Sequence, residues 1–302
     1  WDTGNEKYDL VLISSHCVAK GVKFRSAARR VCYCFTPMRY LWCQTDHYYA
    51  GDWKQTALKL VQRPLRRWDL KSNERVDEFI GISNHVCDRI RRFYGREAVT
   101  IYPPVDDEFF QLPKAPASHP NPLPPGEGRV REREPGFYLM VGALEPYKRV
   151  DLAIRAFNKL GMPLRIIGSG EQEAELRSLA GPNITFLGNV SDEVKVQQLA
   201  RCRALIFPQE EDFGITAVEA LASGRPVIAY DAGGVREIVV NGVTGKLFPE
   251  QSWQALADAV IRFRYEQYDP LKAQASVAKF SVTTFEQVWE KMISKVTEHT
   301  QV

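Results

Sequence analysis

Short apolar runs recur along this chain at intervals that admit one class of fold. Residues 8–13, 31–35, 79–83 and 99–102 come first, and residues 137–141, 164–168, 184–188, 204–208 and 227–230 follow. Each run is too short for a helix, and apolar side chains on successive positions mark strands buried on both faces. Helical signals fill the gaps. Ser83 and Asn84 can cap a helix over 85–94 that closes at Gly95, and a helix over 150–160 has Gly161 past its end. Strand, helix, strand at these intervals predicts an α/β protein with parallel sheets. The stretch 283–296 reads as an amphipathic helix, with Phe285, Val288, Trp289 and Met292 on one stripe.

The 302 residues suffice for one large or two ordinary domains. A net charge of only +3 excludes the strongly basic signature of a dedicated nucleic-acid binder. The six cysteines, at 17, 32, 34, 43, 87 and 202, lack paired metal-ligand spacing. Cys32 and Cys34 share one strand face without a second pair. Buried thiols in a reducing, cytoplasmic compartment are the reading. No apolar run reaches the roughly 18 residues needed to span a bilayer, and no signal peptide is visible. The chain starts at Trp1, which reads as a processing site or a fragment edge. Residues 113–135 hold seven prolines and the alternating Arg129, Arg131 and Arg133, a composition that cannot bury a core. The expected organisation is therefore a first domain over 1–112, a Pro-rich linker over 113–135, a second domain over 136–270 and terminal helices over 271–302.

Residues 211–221 carry the chemistry. Glu211 and Glu219 bracket a Phe213-Gly214 turn and the start of a helix, one acid in the loop mouth and one on the first turns behind it. Gly214 lets the backbone approach a ligand, and the amides of Ile215 and Thr216 would point at an anion. Phosphate-binding amides beside two hydroxyl-accepting carboxylates suit a sugar nucleotide. On the spacing alone, acids that merely favour the helix macrodipole are an equal reading. Downstream come Gly224, Pro226, the apolar run 227–230 and the turn Asp231-Ala232-Gly233-Gly234. That order of helix, stop, strand, glycine turn and helix is a doubly wound unit, in which ligands sit outside the carboxyl ends of strands. Upstream, Gly142 closes a strand and Lys148 precedes a helix, which makes Lys148 the best phosphate cation and the adjacent Arg149 a second choice. Gly168 occupies the matching turn after the next strand.

These motifs, in this order, resemble the donor domain of family 4 glycosyltransferases, which have the GT-B fold of two Rossmann-like doubly wound domains. Residues 142–248 carry the resemblance, beginning with Gly142, Ala143, Leu144, Glu145, Pro146, Tyr147 and Lys148. Residues 32–40 are similar to a subgroup assigned to mannosyl transfer in polysaccharide assembly. The resemblance implies several βα units before those seen here, so the first domain reads as truncated. It implies retaining transfer of a hexose, mannose from GDP-mannose, onto a saccharide or lipid-linked acceptor, with no metal or other cofactor. It implies Glu211 and His16 as catalytic groups, with Lys148, Arg149, Gly142, Gly168, Phe213, Gly214, Ile215, Thr216 and Glu219 holding the donor. Two departures stand out. Ala143 lies where the family often has an arginine, and Phe35 where the subgroup commonly has a histidine. The alternatives are an inactive nucleotide-sugar-binding remnant and a sugar-nucleotide epimerase of the same fold. The basic stretch with Lys54, Lys59, Arg63, Arg66, Arg67, Lys71 and Arg75 is a solvated helix face or a peripheral membrane contact at the inner face of the membrane.

Overall fold

A computed structural model describes residues 7–24, 26–43, 52–111 and 136–298. The Pro-rich stretch 113–135 and the start at Trp1 lie outside these residues, as do the side chains of Lys54 and Lys59. The chain divides into two compact units, one of Trp1–Pro104 with Thr283–Val302 and one of Val105–Val282.

The first unit is built on strands β1 (Lys7–Ser15), β2 (Ser26–Cys34), β3 (Glu78–Gly81) and β4 (Ala98–Thr100), all parallel and in that order. Helices α1 (Arg39–Trp42), α2 (Asp52–Asn73) and α3 (Asn84–Tyr94) connect them. The side chain of Ser83 caps α3 by accepting from the Val86 amide, and Gly95 closes it in the left-handed region. Strand alternation sorts the side chains. Ile13, Cys32, Cys34 and Phe79 face Val86, Ile90 and Tyr94 of α3. On the opposite side Val31, Ile80 and Ile101 pack with Phe285, Trp289, Met292 and Val296 of the C-terminal helix.

A buried ion pair ties α2 to the turn after β1. The Lys20 ammonium contacts the Asp69 carboxylate and donates to Ser72 Oγ at 3.0 Å and Asn73 Oδ1 at 2.7 Å. The Trp42 indole N–H donates to the other Asp69 oxygen at 2.7 Å. Asp69 is therefore buried with a partner on each carboxylate oxygen.

The second unit begins with a short helix, α4 (Glu108–Gln111). Its sheet holds β5 (Tyr138–Val141), β6 (Leu164–Ile167), β7 (Ile184–Gly188), β8 (Leu205–Phe207), β9 (Val227–Tyr230) and β10 (Gly245–Phe248), all parallel. The spatial order is β10-β9-β8-β5-β6-β7. The chain winds outward from β5 to β7, then crosses back to β8 and winds outward the other way. Between the strands lie α5 (Val150–Leu160), α6 (Glu173–Leu179), α7 (Asp192–Arg201) and α8 (Ile215–Ala222), and α9 (Trp253–Arg262) follows β10. The helix expected after Gly233 is a single tight turn, Gly234–Glu237. One core cluster joins Tyr138, Met140, Ile166, Ile206 and Ile228 of the sheet to Ile154 and Phe157 of α5 and Leu256 and Val260 of α9.

Two expected boundaries move. Residues 105–111 join the second unit rather than the first: the Val105 amide donates to the Phe280 carbonyl at 2.8 Å, and Phe109 is buried. Helix α10 (Pro270–Val277) also belongs there, its Gln274 donating to the Ala222 carbonyl at the end of α8. Only α11 (Val282–Glu298) packs on the first sheet.

Removing one partner of a buried pair strands the other charge, at a cost of about 3 to 5 kcal/mol. Asp69→Ala should lower stability by that amount in chemical denaturation, whereas a Lys20→Met, Asp69→Leu double variant should lose distinctly less.

Candidate functional site

The reversal of strand order places a crevice-forming edge between β5 and β8, because the connections leaving these neighbours diverge. The loop after β5 contains Gly142 and Lys148, and the loop after β8 contains Glu211 and Gly214. Both therefore open at the carboxyl edge of adjacent strands.

The loops are held by backbone contacts that exclude side chains. The Gly142 amide donates to the Ile167 carbonyl at 3.0 Å, and the Leu144 amide to the Ser169 carbonyl at 2.9 Å. Gly168 sits at φ +131°, and a Cβ there would lie 1.9 Å from the Gly142 carbonyl oxygen. On the other side of the reversal, the Gly234 amide donates to the Glu211 carbonyl at 2.8 Å, and Glu211 pairs in parallel with Gly233. Each loop is thus fixed by the loop of the next strand.

The side chain of Lys148 folds back over Gly142, with its ammonium 3.7 Å from where a Gly142 Cβ would stand. That ammonium contacts the Glu211 carboxylate directly. Both side chains are mostly buried, 16% and 14% exposed, so this pair is less screened than a surface bridge. The structure brings Lys148 and Glu211 together, whereas the sequence suggested separate duties for them at phosphate and sugar.

Arg149 turns away. It adopts the left-handed region at φ 54°, unusual for a non-glycine residue, and its guanidinium donates to Asp151 at 3.2 Å and to Gln251 at 3.0 Å. Its placement is that of a loop anchor beside α5, not of a second cation next to Glu211. Phe213 is also redirected. Its ring is buried and meets Phe280 edge to face at 5.3 Å, so it braces the loop from inside.

Gly214 sits at φ 107° and starts α8 without a capping side chain. Ile215 and Thr216 then supply first-turn amides, whose N–H groups have no acceptor within the helix. Glu219 is on the next turn and buried. His16 lies exposed just beyond β1, in the other unit.

One functional candidate escaped the sequence reading. Lys195, on the first turn of α7, donates to Glu219 Oε1 at 3.2 Å and lies 5.3 Å from the centre of the Phe109 ring. Asp192 completes the group, 3.4 Å from the ammonium. Burial pushes the Glu219 carboxyl above the usual carboxylate range, and Lys195 only partly offsets this. Burial also works against the Lys195 charge, but Glu219 and Asp192 outweigh it and its pKa is raised. The available signal was Ser191, which caps α7 by accepting from the Val194 amide and so orients its first turn. Among the described residues, no group of three His, Cys, Asp or Glu side chains could hold a metal ion. Nor is any described helix long and apolar enough to cross a membrane.

The chain is an α/β protein of the doubly wound class, with a lysine, two carboxylates and helix-start amides near the reversal of its strand order. The model of the family "glycosyl transferases group 1" matches residues 128–278, and the chain belongs to that family. D-rhamnosyltransferase WbpZ of Pseudomonas aeruginosa is 29% identical over 225 residues, which cover 70% of this chain and 56% of WbpZ. O-antigen chain mannosyltransferase C of Escherichia coli is 35% identical over 132 residues, 41% of this chain and 36% of that protein. The chain thus spans about half the length, or less, of these curated relatives. A crystal structure of Anabaena HepE in complex with UDP matches at a TM-score of 0.65 and 18% identity, covering 96% of this chain and 100% of that one. The fold is that of the GT-B glycosyltransferases, with two parallel-sheet domains.

Replacing Gly168 with alanine forces a Cβ into the Gly142 carbonyl and an L side chain into a left-handed backbone. Gly168→Ala should destabilise by at least about 2 kcal/mol, read as a lowered denaturation midpoint.

Proposed function

We propose that this chain transfers a hexose from a nucleoside-diphosphate sugar, with retention and without a metal, and that mannose from GDP-mannose is the donor. The acceptor in this reading is a saccharide or a lipid-linked saccharide, met in the cytoplasm or at the inner face of the membrane. One observation carries the proposal: Lys148 and Glu211, from loops after adjacent strands, meet at the strand-order reversal beside the first turn of α8.

The chemistry follows from what those groups can do. Breaking the anomeric bond to a diphosphate leaves growing negative charge on the phosphate and positive charge at the sugar. The amides of Ile215 and Thr216, with the Lys148 ammonium, stabilise the phosphate charge. Glu211 accepts from sugar hydroxyls and keeps Lys148 aimed at the phosphate side. Glu219, one turn deeper, accepts from both hydroxyls of the ribose, a task that suits a carboxylate because it has no donor to misplace. Gly142, Gly168 and Gly214 admit the donor close to the backbone. His16 and Arg149 have weaker support. His16 lies in the other unit, and the Arg149 guanidinium is engaged by Asp151 and Gln251.

Three similar proteins support the donor class. The relatives are a rhamnosyltransferase and a mannosyltransferase of O-antigen chains by name, and HepE has been solved with UDP bound. The first two favour transfer of a deoxyhexose or hexose, the second of them onto an O-antigen chain, and the third a nucleoside diphosphate in this fold.

The test is sugar release or transfer from GDP-mannose and from UDP-glucose, followed by mass spectrometry of the nucleotide product. Lys148→Ala should lower kcat/KM by about a hundredfold or more, because it removes charge stabilisation that grows in the transition state. Glu219→Ala should raise KM above all, since the ribose is gripped equally in ground and transition states. Turnover in Lys148→Ala equal to wild type would remove the site assignment.

A further inference from the structure

Lys195 has no part in the chemistry above, yet its placement against Glu219 is specific. Three separate elements converge on it. Helix α8 supplies Glu219, α7 supplies Lys195 and Asp192, and the segment before α4 supplies Asp106 and, on α4 itself, Phe109. Lys195 reaches this point only because the chain crosses back from β7 to β8, which lays α7 beside α8.

We propose that Lys195 is a positioning residue of the donor site, holding the buried Glu219 carboxylate ionised and aimed at the vicinal hydroxyls of a ribonucleoside diphosphate. The proposal rests on the functional reading given above and assigns to that site a group which reading did not contain.

The physical need is clear from the surroundings. Glu219 is taken out of water by α8 and its neighbours, and burial favours the neutral form of a carboxyl. The other charged groups facing it, Asp192 and Asp106, are acidic and push the same way. Lys195 opposes them through both its charge and its hydrogen bond. A protonated Glu219 would carry a donor where two ribose hydroxyls both need acceptors. An ammonium has three hydrogens: one reaches Glu219, a second faces Asp192 at 3.4 Å, and the third is left for a ligand. A ribose hydroxyl bridging the two side chains could donate to the carboxylate and accept from the ammonium.

The sign of the pH effect follows. Glu219 already titrates above an ordinary glutamate. Removing Lys195 deletes both the charge attraction and the hydrogen bond that lower it, so the carboxyl moves further up. Affinity for a ribonucleoside diphosphate then fails at a higher pH. Below the shifted pKa it falls about tenfold per pH unit.

Calorimetric titration of GDP and of UDP between about pH 5 and about pH 8 tests this in wild type, Lys195→Arg, Lys195→Met and Lys195→Gln. The terminal phosphate titrates in the same range, so the readout is each variant's profile relative to wild type. Lys195→Arg should follow wild type. Lys195→Met and Lys195→Gln should lose additional affinity, at least about tenfold, as the pH falls. That extra loss should vanish in a Glu219→Gln background, where no carboxyl titrates. Circular dichroism establishes that each variant is folded, and the glutamine variant carries the comparison if the methionine variant is not. Parallel profiles for wild type and both neutral variants overturn the role of Lys195 and leave the functional reading standing. Failure of wild type to bind either nucleotide overturns both.

Discussion

Every strand of the second sheet points the same way, so every turn leaving a strand's carboxyl end opens on one edge. That constraint alone would scatter the turns along a row. The return of the chain from β7 to β8 changes this, since it makes β5 and β8 neighbours whose onward connections part in opposite directions. The gap they leave is where Lys148 and Glu211 meet. The glycines on either side then act as spacers of zero width, letting Gly168 lie against the Gly142 carbonyl and Gly233 against Glu211. The site is thus a product of backbone topology first and of side chains second.

Two cation–carboxylate pairs sit on this framework, Lys148 with Glu211 and Lys195 with Glu219. Their environments differ. The first joins the loops after two adjacent strands, and its two partners are about equally buried. In the second the carboxylate is the more buried partner, 9% exposed against 22% for Lys195, and burial dominates the Glu219 carboxyl. A ligand that displaced the first cation and joined the second would meet two different electrostatic demands along its length.

Much of the fold was legible in the sequence because both periodicity and punctuation agreed. Residues 150–160 and 227–230 form the helix and strand that their patterns indicate, and Ser83 and Gly95 bound their helix as capping chemistry requires. The motif residues Glu211, Gly214 and Lys148 could be gathered at one sheet edge because strand ends are local features. What the sequence did not reveal depends on strand order. Lys195 is twenty-four residues from Glu219 and has no motif around it, and only the crossover brings α7 to α8. Side-chain direction was equally hidden. Phe213 and Arg149 stand within the motifs but turn toward Phe280 and Gln251, because packing and an unusual backbone angle decide their direction. The boundary at 112 was drawn where composition changed, but the Val105 amide and the Phe109 ring are claimed by the second unit seven residues earlier.

The helix α11 leaves the second unit at Val282 and covers one face of the first sheet with Phe285, Trp289, Met292 and Val296. One unit is therefore a single uninterrupted length of chain, and the other is assembled from two separated lengths. Evolutionary exchange of the second unit between relatives would have to proceed as an insertion between two flanks, not as an end-to-end fusion. A splice that carried α11 along with the incoming half would present the first sheet with a foreign apolar face.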